Sequence, residues 1–302
     1  MRHKKGNPVN GWLVVDKPQG MGSTEVVNLT RRLFNAQKNG HAGTLDPFAT
    51  GVLPIAFGEA TKLLPYVTEG MKEYEFVVKW GEATPSGDTE TPICSRCEKI
   101  PSKEEILAVL QAFVGEIRQV PPAYSAIKIN GQRAYDRVRR GEAVEMPERI
   151  VTISALELLA VLPENRAKFR VVCSKGTYVR TLGQDLAEKL GSCGHLQELR
   201  RTKCGQFDLS EKILLENIKN MVYGEDLARV LLPVMTCLRD IADIAVSEAD
   251  AEKLKQGQSL SPKNYAVSHL YHREAAAVCR GKLIAMVRVE ERKISPVRVF
   301  NL

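Results

Sequence analysis

The chain has 302 residues, of which 44% are hydrophobic, and its formal net charge is +7 at pH 7. That length suits one large domain followed by a small one. The sequence argues against a membrane-spanning, a secreted or a disulfide-rich protein. No apolar run suits a membrane span, the first ten residues lack the apolar core of a signal peptide, and seven scattered cysteines make no disulfide framework. We therefore expect a cytoplasmic protein whose basic balance suits a polyanionic partner.

The first eighty residues contain two strand patterns around one helix pattern. Residues 11–15 form a short apolar run that ends at a turn-prone Asp-Lys-Pro sequence, which indicates a buried strand. Residues 23–36 place apolar side chains on one face and predict a helix capped by Ser23 or Thr24. Every second residue over 74–80 is aromatic or apolar, which is the period of a strand.

The middle of the chain adds two helices and one strand. A capping box from Ser102 to Glu105 opens a helix that we expect to reach about residue 113. The pair Asn130-Gly131 predicts a tight turn. Residues 169–173 alternate as a strand and lead into a helix over 177–190, where leucines recur in register.

Strands and helices in this order do not alternate as regular β-α-β units. We therefore expect an α+β domain built on a mixed, mainly antiparallel sheet. A boundary near Leu232-Pro233 divides the chain into a first domain, 1–233, and a C-terminal module, 234–302. In the module one short helix over 248–256 precedes three β-like runs, which predict a small barrel-like unit; the runs are 275–279, 283–289 and 297–300.

Asp46 lies in a glycine-flanked segment whose composition suits a loop that approaches a ligand closely. The local pattern leaves two interpretations open. An aspartate before Pro47 commonly opens a turn, and this is the more frequent case. A carboxylate can also act as a covalent nucleophile. The choice between the two depends on residues elsewhere in the chain.

Six segments resemble, in the same order, those of the bacterial TruB-type tRNA pseudouridine synthases. Motifs in a shared order over nearly the whole chain are a specific signal, although each alone would be weak. The segments are KPQG from Lys17, GHAGTLDPFATGVLPIAFGEATK from Gly40, KEY from Lys72, PPAYSAIKINGQRAY from Pro121, CSKGTYVRTL from Cys173 and LRRT from Leu199. One departure is Gly22-Ser23, where the family usually carries two small hydroxyl residues; its effect would fall on local geometry.

The resemblance implies a reaction and its partners. A uridine in the T-arm loop, position 55 in tRNA numbering, is isomerised to pseudouridine: the glycosidic bond breaks, the held uracil turns, and it is rejoined through C5. The implied reaction uses no cofactor and no metal. The implied substrate is tRNA, bound by a monomer without a guide RNA. The C-terminal module resembles the family's PUA-like RNA-binding domain, which would hold the acceptor-stem side.

The resemblance also implies three catalytic residues. Asp46 is the implied nucleophile, and the attacked atom, ribose C1′ or uracil C6, stays open. A carboxylate in a closed pocket needs a counter-charge, since desolvation otherwise favours its neutral form. Arg180 matches the family arginine that pairs with it, and a planar guanidinium can hold both carboxylate oxygens. Tyr74 matches the tyrosine that stacks on the uracil, although its strand face would also suit the core.

Five further residues match positions that the family uses to bind RNA. His41 matches the histidine that inserts into the T-loop. Tyr178 and Leu199 match residues that line the base pocket, and core packing would explain Leu199 almost equally well. Lys62 suits a phosphate contact and Lys17 suits structural support, with a solvated lysine as the alternative for each.

Other interpretations weigh less. Cys94 and Cys97 form half of a zinc pattern without a second half, so we predict free thiols and no metal. A tRNA-binding or RNA-folding protein with incidental or lost catalysis would not need Asp46, Tyr74 and Arg180 together. A guide-RNA-dependent relative fits less well because the motifs follow the bacterial form. A methyltransferase would need a glycine-rich loop after the first strand.

Overall fold

The computed structural model describes residues 6–125, 127–129, 131–221 and 225–302. Its strands, in chain order, are β1 (Gly11–Lys17), β2 (Asn39–His41), β3 (Thr50–Phe57), β4 (Lys72–Trp80), β5 (Glu82–Ala83), β6 (Ser95–Arg96), β7 (Gly115–Gln119), β8 (Lys128–Ile129), β9 (Gln132–Arg133), β10 (Arg149–Leu162), β11 (Arg166–Cys173), β12 (Gly194–Cys204), β13 (Phe207–Asp208), β14 (Ile213–Leu214), β15 (Asp243–Ala245), β16 (Arg273–Cys279), β17 (Lys282–Val289) and β18 (Ile294–Val299). Its α-helices are α1 (Ser23–Leu33), α2 (Leu64–Glu69), α3 (Lys103–Val109), α4 (Ala134–Arg139), α5 (Val179–Lys189), α6 (Leu215–Asn220) and α7 (Glu248–Lys255). Within these ranges no helix has the length and apolar character needed to cross a membrane.

A large mixed sheet forms the centre of the molecule. Its strands follow the order β14-β1-β3-β12-β4-β11-β10-β7, with β2 added beside β3 and β13 beside β12. The pairs β1–β14 and β3–β12 are parallel. The remaining described pairs of this sheet are antiparallel. The prediction of an α+β domain with a mixed, mainly antiparallel sheet is confirmed.

Alternating side chains explain why the central strands bury one face. Phe76, Val78 and Trp80 of β4 lie in the main core together with Phe169 of β11. The rings of Phe76 and Phe169 stack with centroids 5.2 Å apart. Helices α1, α3 and α5 contribute apolar side chains to the same core. The strand predicted over 74–80 is therefore confirmed, and the structure extends it back to Lys72.

Helix α1 differs from its prediction at both ends. It ends at Leu33 rather than at residue 36, since Asn35 adopts a left-handed conformation with φ of 43°. Its N-cap is Gly22, so the prediction of Ser23 or Thr24 as the cap is wrong. Ser23 is the first helical residue, and its hydroxyl donates a 2.8 Å hydrogen bond to the carbonyl of Leu45. A serine that could have capped the helix instead holds the loop next to Asp46.

The other predicted helices are present with small shifts. The capping box is confirmed, because Ser102 Oγ accepts from the amide of Glu105 and the Glu105 carboxylate accepts from the amide of Ser102. The last part of that helix is a 3₁₀ turn over Leu110–Phe113. Helix α5 starts after Tyr178, within the range expected for it. The turn predicted at Asn130-Gly131 falls partly outside the described residues.

The C-terminal module contains a second sheet in the order β15-β16-β17-β18. Strands were predicted at three of these positions, and the short strand β15 was not. Helix α7 ends before Gly257, whose φ of 81° terminates it as expected. Leu254, Val287 and Ile294 belong to a small core of the module's own. Its barrel-like character and its boundary at residues 233–234 stay predictions.

The module also shares a core with the large sheet. Trp12 of β1, Phe207, Met286 and Phe300 belong to one buried cluster, to which both parts of the chain contribute. The indole Nε1 of Trp12 donates a 2.9 Å hydrogen bond to the carbonyl of Val234. The segment that links the two parts is therefore held against the edge of the large sheet.

Candidate active site

A cavity of about 320 Å³ opens where the central strands meet the loop between β2 and β3. The sheet explains this convergence, because β3 and β4 both pair with β12 at the middle of the sheet. Five of the eight predicted site residues line the cavity: Asp46, Tyr74, Tyr178, Arg180 and Leu199. The other three, Lys17, His41 and Lys62, lie outside its lining.

Asp46 and Arg180 form an ion pair at this cavity. Arg180 Nη2 lies 2.9 Å from Asp46 Oδ2, with the arginine side chain 3% exposed and the aspartate side chain 34% exposed. Nη1 of Arg180 donates to the carbonyl of Ser86 at 2.9 Å, and Nη2 donates to the carbonyl of Tyr124 at 3.0 Å. The guanidinium is fixed from several sides while one face of the carboxylate stays open. The two residues are 134 positions apart in number, and the first turn of α5 brings them together.

A second carboxylate, Asp88, was missed by sequence reasoning. Its Oδ2 lies 3.4 Å from Arg180 Nη1, and its side chain is fully buried. The hydroxyl of Ser86 and the amide of Glu90 donate to its Oδ1 at 2.6 and 2.9 Å. Burial, followed by the charges of Asp88 and Asp46, raises the pKa of Glu90. Arg180 therefore neutralises a group of carboxyl side chains. No motif in the loop around Asp88 had indicated that this residue belongs to the group.

Lys17 holds the loop that carries Asp46 through hydrogen bonds to backbone carbonyls. This lysine is fully buried, and its ammonium donates to the carbonyls of Pro18, Met21 and Pro47 at 2.8, 2.7 and 3.2 Å. Burial lowers its pKa from 10.5 to about 8, and the negative charge of Asp46 opposes part of this shift. Through these contacts Lys17 joins the turn after β1 to the Asp46 loop, and its role as structural support stays a prediction.

Tyr74 lies beside Arg201, a buried arginine of the LRRT motif for which the sequence predicted no role. Arg201 is the cross-strand partner of Tyr74 in the β4–β12 pairing, and it lines the same cavity. Its Nε donates to the carbonyl of Val52 at 2.8 Å, and its Nη2 donates to the carbonyl of Gly43 at 3.1 Å. Burial raises the pKa of Tyr74 to about 12, against the opposing charge of Arg201.

Tyr178 and Leu199 line the cavity in different ways. Tyr178 precedes α5, its amide donates to Gln119 Oε1 at 3.0 Å, and its carbonyl accepts from Gln119 Nε2 at 3.2 Å. The guanidinium of Arg149 lies over the Tyr178 ring, 5.3 Å from its centroid. Leu199 is 7% exposed and belongs to the main core as well as to the cavity wall. The position of Leu199 therefore suits both packing in the core and contact with a base.

His41 lies on β2, short of the cavity. Burial and then the charge of Arg201 lower the pKa of its imidazole, which favours the neutral ring. Its Nδ1 has no hydrogen-bond partner within the described part of the chain. This unpaired nitrogen is itself buried, and the RNA-positioning role of His41 stays a prediction.

Lys62 lies away from the cavity, against the end of the chain. Its ammonium donates to Glu59 at 2.6 Å and to the carbonyl of Val299 at 2.8 Å, and it lies 5.6 Å from the centroid of the Phe300 ring. Glu59 in turn accepts from the amide of Asn301. In this arrangement Lys62 joins the two parts of the chain, and its predicted phosphate contact stays untested.

The described residues contain no group of three or more His, Cys, Asp or Glu side chains placed to hold a metal ion. Cys94 is exposed, and its thiol lies 3.5 Å from the carbonyl of Ala83. Cys97 lies instead beside Cys193.

Comparison with solved structures shows where else this fold occurs. The chain matches a structure of an H/ACA RNP bound to a substrate RNA with a TM-score of 0.75 at 21% identity, over 100% of this chain and 92% of that one. It matches a Cbf5-Nop10-Gar1 complex with a TM-score of 0.73 at 23% identity, over 100% of this chain and 91% of that one. At these identities the likeness shows a shared fold alone.

Sequence comparison gives the family. Residues 31–179 match the TruB family pseudouridylate synthase N-terminal domain, and residues 180–239 match the tRNA pseudouridylate synthase B C-terminal domain. The chain is 44% identical to tRNA pseudouridine synthase B of Caulobacter sp. strain K31, over 100% of this chain and 99% of the relative. It is 43% identical to the Rhodospirillum rubrum protein of the same name, with the same coverage. The chain belongs to the TruB family of pseudouridylate synthases.

Proposed function

We propose that this protein isomerises a uridine of tRNA to pseudouridine, with Asp46 as the nucleophile. The observation that carries the proposal is the 2.9 Å ion pair between Asp46 and the buried Arg180, at a cavity that Tyr74 also lines. Family membership supports the reaction, since both relatives compared above are named tRNA pseudouridine synthase B. The residue roles rest on the geometry.

The ion pair suits a covalent nucleophile. Arg180 holds the carboxylate of Asp46 at the cavity, because separating the pair would leave the buried guanidinium without one of its two carboxylate partners. The carboxylate attacks either ribose C1′ or uracil C6 and divides the exchange into easier steps. Over the whole reaction the N1–C1′ bond breaks, a C5–C1′ bond forms, and the proton of C5 is replaced by one on N1. The change is redox-neutral, so the chemistry calls for no electron carrier.

Tyr74 and the cavity suit a base taken out of its stack. A flipped base loses its neighbours, and stacking on an aromatic ring returns roughly 1–3 kcal/mol. The cavity volume of about 320 Å³ lies at the lower end of small-molecule sites. Tyr178 and Leu199 would border the same base.

The proposed substrate region is the T-arm of tRNA. His41, on the strand that leads into the Asp46 loop, would contact the T-loop beside the extruded nucleotide. The C-terminal module would act as a PUA-like RNA-binding unit on the acceptor-stem side. The protein would work in the cytoplasm as a monomer, and no guide RNA is required because its own surfaces would select the loop.

The test compares three proteins on an unmodified tRNA transcript, with product measured as pseudouridine by mass spectrometry after nuclease digestion. The unaltered protein should convert one uridine of the T-loop. Asp46→Asn should bind the transcript but form no product, since the amide keeps the shape and loses the charge. Asp243→Asn, an exposed carboxylate on β15, should behave as the unaltered protein. Turnover by Asp46→Asn would contradict the nucleophile assignment.

The same assay addresses the alternative of an RNA-binding or RNA-folding protein with lost catalysis. Binding of tRNA by the unaltered protein without any pseudouridine would favour that alternative. No contact in the described residues favours it over the enzyme.

A further inference from the structure

Two cysteines outside the cavity lie in direct contact. Cys97 follows β6, and Cys193 lies in the turn between α5 and β12. Their sulfur atoms are 2.7 Å apart, although 96 positions separate them in the chain. The amide of Cys193 also donates to the sulfur of Cys97 at 2.8 Å. The fold therefore brings together two thiols that the sequence patterns had not paired.

Backbone hydrogen bonds fix the two segments around this contact. The carbonyl of Cys193 accepts from the amide of Gly81 at 2.8 Å, and the carbonyl of Gly81 accepts from the amide of Cys97 at 3.1 Å. The hydroxyl of Ser192 donates to the carbonyl of Lys99 at 2.7 Å. Both cysteine residues are partly exposed, so the pair lies near the surface, where a small molecule can approach it. A disulfide bond of about 2.05 Å needs little movement of such a framework.

We propose that Cys97 and Cys193 form a reversible disulfide by exchange with a low-molecular-weight disulfide such as glutathione disulfide. The Cys97 thiolate attacks one sulfur of the small disulfide, which gives a mixed disulfide and releases one thiolate. Cys193 then attacks the Cys97 sulfur and releases the second thiolate. The two protein thiols are oxidised, the small disulfide is reduced to two thiols, and the two cysteine protons end on them.

The acidities of the two thiols support this order of attack. Burial raises the pKa of the Cys97 thiol, but hydrogen bonds from Cys193 and Ser192 outweigh burial and lower it overall. Burial and the neighbouring Cys97 raise the pKa of Cys193 to about 11. Since the thiolate is the nucleophile, Cys97 attacks first and Cys193 resolves the mixed disulfide.

The position of the pair gives the disulfide a consequence. The hairpin before Cys97 encloses the loop whose Ser86 and Asp88 hold Arg180, and Cys193 follows the helix that carries Arg180. A cross-link there joins the two segments that fix the guanidinium. It also closes a long loop, which removes much freedom from the unfolded chain. Because the sulfurs are already in contact, we expect greater stability with an unchanged cavity.

The experiment equilibrates the full-length protein in buffers of stepped ratio of reduced to oxidised glutathione, blocks free thiols, and maps disulfide-linked peptides by mass spectrometry without reduction. The expected product is the Cys97–Cys193 pair. Its formation should raise the thermal unfolding midpoint by several degrees. Turnover on tRNA should stay unchanged. This thiol chemistry does not depend on the tRNA reaction, so loss of one leaves the other intact.

Matched variants decide between this pair and general thiol oxidation. Cys94→Ser removes an exposed thiol from the same hairpin and should keep both the cross-link and the rise in midpoint. Cys97→Ser and Cys193→Ser should each lose both. A link through Cys94, the absence of any link at every ratio, or zinc bound stoichiometrically to the reduced protein would overturn the proposal. If a variant fails to fold, the peptide map of the unaltered protein still shows whether Cys97 and Cys193 are linked.

Discussion

Arg180 is buried between Asp46 and Asp88, and its guanidinium also donates to the carbonyls of Ser86 and Tyr124. A buried cation depends on all of these partners, because leaving one unpaired exposes an uncompensated charge to a low-dielectric surrounding. A lysine would keep the charge but not the planar fork that reaches several acceptors at once. The position of Asp46 therefore depends on the shape of its partner as well as on the charge.

We accordingly expect Arg180→Lys to lower kcat by about 100-fold, since a shift of about 1 Å in a catalytic group is enough for that loss. Steady-state kinetics on a tRNA transcript measure kcat and KM separately. Arg170→Lys is the control, because Arg170 is an arginine on β11 that pairs with Glu157 at the surface. A kcat equal to that of the unaltered protein would show that charge alone positions Asp46.

Lys17 gives the molecule a predictable dependence on pH. Its pKa falls from 10.5 to about 8 in the folded protein because of burial. Between these values the unfolded chain binds a proton that the folded chain has released, so stability rises with pH across this interval. Below the folded pKa both states are protonated, and the full cost of burying the charge, about 3 kcal/mol, is present.

The measurement compares urea unfolding of the unaltered protein and of Lys17→Met from about pH 7 to about pH 10. As the pH rises, the free energy of unfolding of the unaltered protein should increase relative to that of the variant. Loss of the hydrogen bonds to the three carbonyls changes the free energy of unfolding of the variant by the same amount at every pH. The test is therefore the slope of the difference in free energy against pH. A difference that does not change with pH would contradict the assignment.

At the scale of elements, the strand β3 begins under a tight steric limit. Gly51 has a φ of 101°, and a Cβ at this position would lie 2.2 Å from the carbonyl oxygen of Arg201 on β12. The close approach allows β3 and β12 to pair in parallel beside the Asp46 loop. Arg201 also holds the carbonyls of Gly43 and Val52 on the two sides of that loop. The loop therefore takes its shape from the neighbouring strand.

Gly51→Ala should destabilise the fold by more than backbone strain alone. Gly115→Ala provides the comparison, because Gly115 has a similar φ of 105° but no atom near the position of its Cβ. A left-handed alanine costs about 1–2 kcal/mol, so Gly115→Ala should lose that amount and Gly51→Ala distinctly more. Urea denaturation of both variants measures the difference. Equal losses would mean that β12 moves aside at no cost.

Elements with a strong local pattern were predictable from the sequence, and contacts between distant loops were not. The strand at β4 and the capping box at Ser102 follow from residues a few positions apart. Asp88 could not be assigned, because its role depends on Arg180, which the fold brings from a distant helix. Arg201 was within a quoted motif, but only the β4–β12 register shows that it faces Tyr74.

At the scale of the whole molecule, the C-terminal module is joined to the large sheet by apolar and polar contacts. Met286 and Phe300 of the module share one buried cluster with Trp12 of β1. Around it, Glu59 accepts from the amide of Asn301, and the hydroxyl of Tyr66 donates to Glu274 at 2.5 Å. Two parts that share a core should lose their structure together, because neither can expose its half without cost.

We therefore expect a single unfolding transition, with tryptophan emission and far-ultraviolet circular dichroism following the same curve in urea. Phe300→Ala should lower the free energy of unfolding by about 3–5 kcal/mol, since it opens a cavity in the shared cluster. Val297→Ala removes an exposed side chain three residues before Phe300 and should change the free energy of unfolding by less than about 0.5 kcal/mol. If the module unfolded first in the unaltered protein while the emission of buried Trp12 and Trp80 stayed constant, the shared cluster would not couple the two parts. If both probes still report a single transition in Phe300→Ala, shifted to lower urea concentration, the packing of Phe300 stabilises the large sheet that carries the Asp46 loop.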